Sequence, residues 1–278
     1  MTSALVEKIF VSTTYPRLRD NLAFFIENGW QPEIALEGTV LYDEPRQSFQ
    51  AVAHALKEAK LPCTFHAPFF ELQPASLDPR IREVSQAKLD LAFDLAQLFQ
   101  PRSVVCHLAF EENKQGYKED LWFEQAVATW SHFARRAEEA HTTLMLENTY
   151  EKSPAQLKRI LTALNSDHAR FCLDVGHVLA FAKNRWQDWL PELSPFLGQL
   201  HLHDNHGDRD SHLAVGQGIF DFASLFNYLR EIQARPILTL EAHQEDDVVK
   251  GFAALEGLGL LDALPANPLG ISQLSRRH

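Results

Sequence analysis

Residues 199–218 read QLHLHDNHGDRDSHLAVGQG, with four histidines and three aspartates in twenty positions. Imidazole nitrogens and carboxylate oxygens are the side-chain atoms that hold zinc, manganese and related divalent ions. The same residue types recur at the ends of other short apolar runs. His66 closes CTFHA, His107 lies in SVVCHL, Glu147 in TLMLEN, Asp174 in RFCLDV with His177 just after it, and Glu241 ends PILTLE. A lone histidine or glutamate at such a place is most often a structural residue. Six strand ends each carrying one are different, because ionised groups converging in a partly dry cavity repel one another unless a cation neutralises them. The pattern predicts a divalent-cation site, with His201 in its wall and with Asp210 and His212 folded back over it from the following loop.

Groups so far apart in sequence need a scaffold that gathers strand ends. Eight β-rich runs, at 8–12, 33–37, 63–67, 103–108, 143–148, 170–175, 199–204 and 236–241, alternate with helical patterns of period near 3.6, the signature of βα units. Asp78-Pro79 and Ser153-Pro154 each set a capping acceptor before a proline that starts a helix. After Asp78, the residues Ile81, Val84, Leu91, Leu95 and Leu98 form one apolar stripe expected to pack on a sheet. Eight such units, with neither GxGxxG nor a P-loop, predict the α/β class and a single (β/α)8 TIM barrel over 1–262, followed by a fraying tail over 263–278.

Strand parity then tests the site. Thr64 and His66, Val105 and His107, Met145 and Glu147, Cys172 and Asp174, Gln199 with His201 and His203, and Thr239 and Glu241 each share one face of their strand. In a barrel the inward positions at carboxyl strand ends carry the chemistry. His203, Asp204 and His206 read equally well as groups that orient ligands or as solvated loop polarity.

The chain has 278 residues, 45% of them hydrophobic and 23% charged, enough for a large core in water, and no apolar run near the roughly 20 residues that span a bilayer. Its start lacks the pattern of a secretory signal, and cysteines 63, 106 and 172 sit singly in apolar runs. A cytoplasmic location with reduced, buried thiols is expected. The formal charge of −11 argues against a general nucleic-acid surface, and Arg17, Arg46, Lys152, Lys183 and Arg185 assemble no basic stripe for duplex DNA.

The motifs HAPF (66–69), VVCHL (104–108), LEN (146–148), LDVGH (173–177), LHLHDN with DSHLAVGQG (200–218) and LEA (240–242) resemble those of the xylose isomerase-like barrel superfamily. It contains sugar isomerases and epimerases as well as the endonuclease IV type of abasic-site nuclease. Resemblance to the nucleases implies three zinc ions on nine residues, matched here by His66, His107, Glu147, Asp174, His177, His201, Asp210, His212 and Glu241. Resemblance to the epimerases implies one divalent ion on Glu147, Asp174, His201 and Glu241, with His177 touching substrate. The nucleases' characteristic N-terminal opening is missing, and loops such as YDEPRQ and FEENKQGYKED mix acidic with basic groups.

The expected activity is therefore that of a zinc- or manganese-dependent isomerase or epimerase acting on a sugar or sugar phosphate. An ion chelates adjacent substrate oxygens, Glu147 or Glu241 takes the neighbouring proton and the other returns it through an enediolate. Phe69, Phe70, Tyr117, Tyr150 and Trp186 are expected to wall the pocket. The alternatives are a three-ion phosphodiesterase in which Glu147 bridges two ions, and a non-catalytic metal-binding barrel.

Overall fold

A computed structural model describes residues 9–242 and 244–259. Eight parallel strands close a barrel in chain order: β1 (Ile9–Thr14), β2 (Gln31–Ala35), β3 (Thr64–His66), β4 (Val104–His107), β5 (Leu144–Glu147), β6 (Ala169–Asp174), β7 (Leu197–Leu202) and β8 (Ile237–Leu240). Every strand expected from the sequence is present. The expected tail over 263–278 lies outside the described residues.

Two apolar sets follow from the two strand faces. Phe10, Val105, Met145, Cys172 and Ile237 form a small cluster inside the barrel. The alternate positions, among them Val104, Leu146, Leu173, Leu200, Leu202 and Leu240, join the larger core beneath the helices. The period-two reading of the sequence is thus the observed one. All three cysteines are free and buried.

The outer layer contains α1 (Tyr15–Asp20), α2 (Leu22–Asn28), α3 (Arg46–Glu58), α4 (Pro79–Phe99), α5 (Glu119–Glu139), α6 (Ala155–Leu164), α7 (Leu190–Leu193), α8 (Phe222–Glu231) and α9 (Glu245–Gly257). Asp78 caps α4 through the N–H groups of Arg80 and Ile81. At α6 the start lies one residue later than expected: Pro154 takes the cap position, and the Ser153 hydroxyl accepts the Ala155 N–H at 3.4 Å.

Two expectations need correction. In α4, Ile81 and Val84 are 50% and 66% exposed; the buried face is Ser85, Leu89, Ala92, Phe93, Leu95 and Ala96. Alanines and a serine complete the true stripe because the helix lies close to its neighbours, so choosing only large residues traced a rotated face. The sixth βα unit also lacks a long helix. A three-residue turn, a π turn over Val178–Ala182 and the short α7 connect β6 to β7, with Pro191 and Pro195 starting short helical pieces and Trp189, Leu190 and Leu193 filling the layer. Among the described residues no helix is long and apolar enough to cross a membrane.

The corrected face has a measurable consequence. Leu89→Ala is expected to cost roughly 2–5 kcal/mol of unfolding free energy, as large-to-small changes in a packed core do. Ile81→Ala should stay within about 0.5 kcal/mol of wild type. Urea unfolding of the two variants checks both.

Candidate metal centre

The carboxyl ends of the strands bring all nine expected residues to one place. His66 ends β3, His107 ends β4, Glu147 ends β5, Asp174 ends β6, and His201 lies one residue before the end of β7, with Glu241 directly after β8. His66, His107, Glu147, His177, Asp210, His212 and Glu241 line a cavity of about 340 Å³. Asp174 and His201 are fully buried at its floor.

Glu147 is the hub. Its Oε2 lies 3.2 Å from Nε2 of both His66 and His107, and its Oε1 lies 3.3 Å from His201 Nδ1 and 3.4 Å from His177 Nδ1. Around His201 Nδ1, Glu241 Oε1 follows at 3.5 Å and Asp174 Oδ2 at 3.8 Å. Donor atoms held about 2.0–2.2 Å from one tetrahedral ion lie roughly 3.3–3.6 Å from each other, so this spacing suits a cation.

Ring orientation supports the same fit. His66, His177 and His212 donate their Nδ1–H groups to the carbonyls of Ala67, Asn148 and Glu241, at 2.9, 2.9 and 2.8 Å. A carbonyl only accepts, so the proton must sit on Nδ1 and the Nε2 lone pair is left for the cavity, the usual arrangement of metal-binding imidazoles. His203 Nδ1 and Asp210 Oδ1 are buried with no hydrogen-bond partner among the described residues and face each other at 3.6 Å. Among the described residues, Glu147–Asp174–His201, His66–His107–Glu147 and His203–His212–Glu241 each form a triad with donor atoms within 4.8 Å. Imidazole-rich triads favour zinc, whereas Glu147, Asp174 and Glu241 with one imidazole also suit manganese.

The loop after β7 is built to return over the cavity. Asp204 and Leu213 exchange backbone hydrogen bonds, and the Asp204 carboxylate accepts the N–H groups of Asn205, Gly216, Gly218 and Phe220. A Cβ at Gly218 would stand 2.3 Å from Asp204 Oδ1, so only glycine allows that approach. His212 adopts φ of +48°, in the left-handed region that histidine enters more readily than most non-glycine residues.

Of the three residues left ambiguous by the sequence, His203 orients Asp174, with Nε2 at 2.9 and 3.0 Å from the two carboxylate oxygens. Its ring stacks on His212 at 4.0 Å and occupies the space of a Cβ at Gly176, which would lie 2.0 Å away. Asp204 organises the loop, and His206 is exposed. The aromatic wall is only partly as expected. Phe69 and Tyr150 line the cavity with Phe181, and Phe69 stacks on His107. Phe70 and Tyr117 are instead 75% and 78% exposed, and Trp186 is buried against Tyr228. Lys152 and Lys183 bond the carbonyls of Phe181 and Gly207.

Two groups lay outside the sequence reading. Asn148 spans β5 and β6, accepting the Asp174 N–H and donating to the Asp174 carbonyl. Glu33 on β2 is fully buried with its Oε1 at 3.0 Å from His201 Nε2; the period-two test applied to EIALE would have found it.

Residues 25–263 match the xylose isomerase-like TIM barrel family. The chain belongs to that family. A Methanocaldococcus jannaschii relative, the uncharacterized protein MJ1311, is 26% identical over 238 residues, 81% of this chain and 78% of its own. Among xylose isomerase-like folds of known structure, a D-tagatose 3-epimerase-like protein superposes with a TM-score of 0.79 at 22% identity, over 92% of this chain and 98% of that one. The TTHB071 protein of Thermus thermophilus, soaked with ZnCl2, gives 0.75 at 23% identity over 90% and 97%.

Electrostatics generate a pH prediction. Burial disfavours protonation of His66, but the hydrogen bond and charge of Glu147, with the charge of Glu241, lift its pKa to about 9. His212 is similarly opposed by burial and raised to about 9 by Asp210 and Glu241. Burial also works against ionised Glu147, yet His201 and His107 hold it well below the carboxylate range. A raised folded-state pKa stabilises fully below the unfolded histidine value of about 6.5 and ceases to do so as pH passes the folded value. Chelator-treated protein should therefore lose thermal stability as pH rises from about 6.5 to 9, while affinity for zinc increases because fewer protons compete. Thermal melts and chelator competition across that window check both directions.

Proposed function

We propose that this chain is a divalent-metal-dependent isomerase or epimerase of a sugar or sugar phosphate. The observation that carries the reading is the convergence of Glu147, Asp174 and Glu241 oxygens within 3.3 to 3.8 Å of His201 Nδ1, at the floor of a cavity of about 340 Å³. Membership of the xylose isomerase-like family and the likeness to a D-tagatose 3-epimerase-like protein support it.

Glu147, Asp174, His201 and Glu241 would hold the ion. A divalent cation so bound polarises a carbonyl and acidifies the adjoining C–H. The remaining chemistry belongs to the side chains. Glu147 rises from β5 and Glu241 from the end of β8, three strands further around the barrel, so the two carboxylates approach a substrate from different sides. One takes the proton from carbon onto an Oε, the enediolate forms, and a carboxylate returns the proton to the other face or to the neighbouring carbon. His177 Nε2, 3.3 Å from Asp210 Oδ2, sits on the cavity wall, where it can bind a substrate hydroxyl. Phe69, Tyr150 and Phe181 cover apolar faces of the substrate and displace water.

A second reading, phosphoester hydrolysis at a cluster of ions, draws on one specific observation. The two oxygens of Glu147 face different imidazoles, His66 and His107 on one side and His201 on the other, as a carboxylate bridging two ions would. Its weakness is the substrate grip, because Lys152 and Lys183 are engaged with backbone carbonyls and phosphate chains need several free cations.

Incubation with ketoses and ketose phosphates in D2O, followed by NMR, tests the choice. Wild type is expected to exchange the proton next to the carbonyl, and metal-loaded Glu241→Gln to turn over at least about 10²-fold more slowly, the scale of positioned proton transfer. Elemental analysis should return one tightly held ion per chain. Three ions, no exchange with any ketose, and cleavage of a phosphodiester would establish the second reading instead.

A further inference from the structure

We propose that Glu33 is a positioning residue that fixes the tautomer and ring orientation of His201, so that His201 presents the Nδ1 lone pair to the metal centre. The inference rests on reading His201 as a cation ligand. Glu33 lies in the middle of β2, in register with Ser12 of β1 and Thr64 of β3, on the inward face. It is fully buried and does not line the cavity, so it cannot touch a substrate there.

Burying a carboxylate is costly unless hydrogen bonds replace its water, and here one oxygen receives all of the neutral donors. Oε2 accepts from Thr64 Oγ1 at 2.8 Å, Gln199 Nε2 at 2.6 Å and Thr239 Oγ1 at 3.0 Å. Those three groups come from β3, β7 and β8, so the carboxylate is held from several directions. Oε1 is left facing His201 Nε2 at 3.0 Å.

The question is which partner of that contact carries the proton. Gln199 Nε2 also lies 3.3 Å from His201 Nε2, and an amide could in principle donate to the ring. Its capacity is already used. The amide has two hydrogens, and Glu33 Oε2 at 2.6 Å and Thr239 Oγ1 at 3.1 Å account for both. Its orientation is set by Ser103, whose hydroxyl donates to Gln199 Oε1 at 2.6 Å. A carboxylate oxygen can only accept, so once a cation takes Nδ1 the ring proton that remains is the one on Nε2, 3.0 Å from Glu33 Oε1.

Nδ1 faces Glu147, Glu241 and Asp174, 3.3, 3.5 and 3.8 Å away; without a cation it donates to Glu147 Oε1, and a cation held by these carboxylates would take the place of that proton. His66, His177 and His212 achieve the complementary arrangement with backbone carbonyls. His201 sits too deep in the barrel for a loop carbonyl to reach, and a carboxylate from β2 takes that role. A carboxylate in this position also makes the imidazole a stronger donor to a cation.

The test uses the full chain with 15N-labelled histidine. In zinc-loaded wild type, long-range 15N–1H correlations should identify His201 as carrying its single ring proton on Nε2, whether or not any variant folds. Glu33→Gln should bind zinc about 10- to 100-fold more weakly in chelator competition, the usual effect of removing such a partner, with altered His201 nitrogen shifts. His201 protonated on Nδ1 and not on Nε2 in zinc-loaded wild type, or a Glu33→Gln variant whose melting temperature falls while zinc affinity and His201 shifts stay unchanged, would overturn the proposal. If His201→Ala leaves zinc affinity intact, the metal reading fails, and the nitrogen shifts alone decide whether Glu33 governs the ring.

Discussion

The structure is arranged around one electrostatic constraint: Glu147 is buried with four imidazoles against its two oxygens. A carboxylate in that setting is tolerable only if positive charge stays near it, from protons on histidines or from a cation. The same constraint extends to Asp174 and Glu33, both fully buried and both kept ionised by imidazoles against the effect of burial. Protons and a divalent cation would therefore compete for one set of lone pairs, and the orientation of the rings suits the cation.

Orientation is where the fold contributes most. A closed parallel barrel aims every second side chain inward, so six strand ends deliver donors to one point without long-range loop ordering. The loop after β7 supplies Asp210 and His212, and it holds its shape because Asp204 gathers four backbone N–H groups and Gly218 lets the carboxylate in. Gly176 plays a matching part, leaving the space into which the His203 ring fits against Asp174. Asp204 thus holds the loop's own shape, while His203, paired with Asp174 and stacked on His212, joins it to the barrel.

The strands and the inward placement of the candidate residues at their ends were legible in the sequence because both depend on a local period. Leu200 and Leu202 alternating with His201 and His203 reveal inside and outside at once, and the two buried clusters obey that alternation. Helix faces were less legible. Ala92 and Ala96 pack inward while Ile81 and Val84 stay exposed, because closeness of approach, not side-chain size, selects the buried stripe. The irregular link between β6 and β7 hides for a related reason, since short helical pieces bury Trp189, Leu190 and Leu193 in the positions where a helix face was expected. Phe70 and Tyr117 look like pocket walls by type, but which way a loop residue turns depends on contacts distant in sequence. Glu33 was legible as inward-facing from the alternation in β2, but its partner His201 is 168 positions away, and that pairing no local period records.

The barrel interior combines apolar packing with a polar network. Phe10, Val105, Met145, Cys172 and Ile237 pack together inside it, while Ser103, Gln199, Thr239, Thr64 and Glu33 form a connected hydrogen-bonded set. A carboxylate among the apolar side chains alone would lack partners for its lone pairs. The network gives Glu33 three neutral donors and sets it against His201, so negative charge near the proposed cation site extends beyond the cavity wall. A site built in this way couples metal affinity to residues that no substrate reaches, and the identity of β2, which contributes no residue to the expected ligand set, becomes a determinant of how that set behaves.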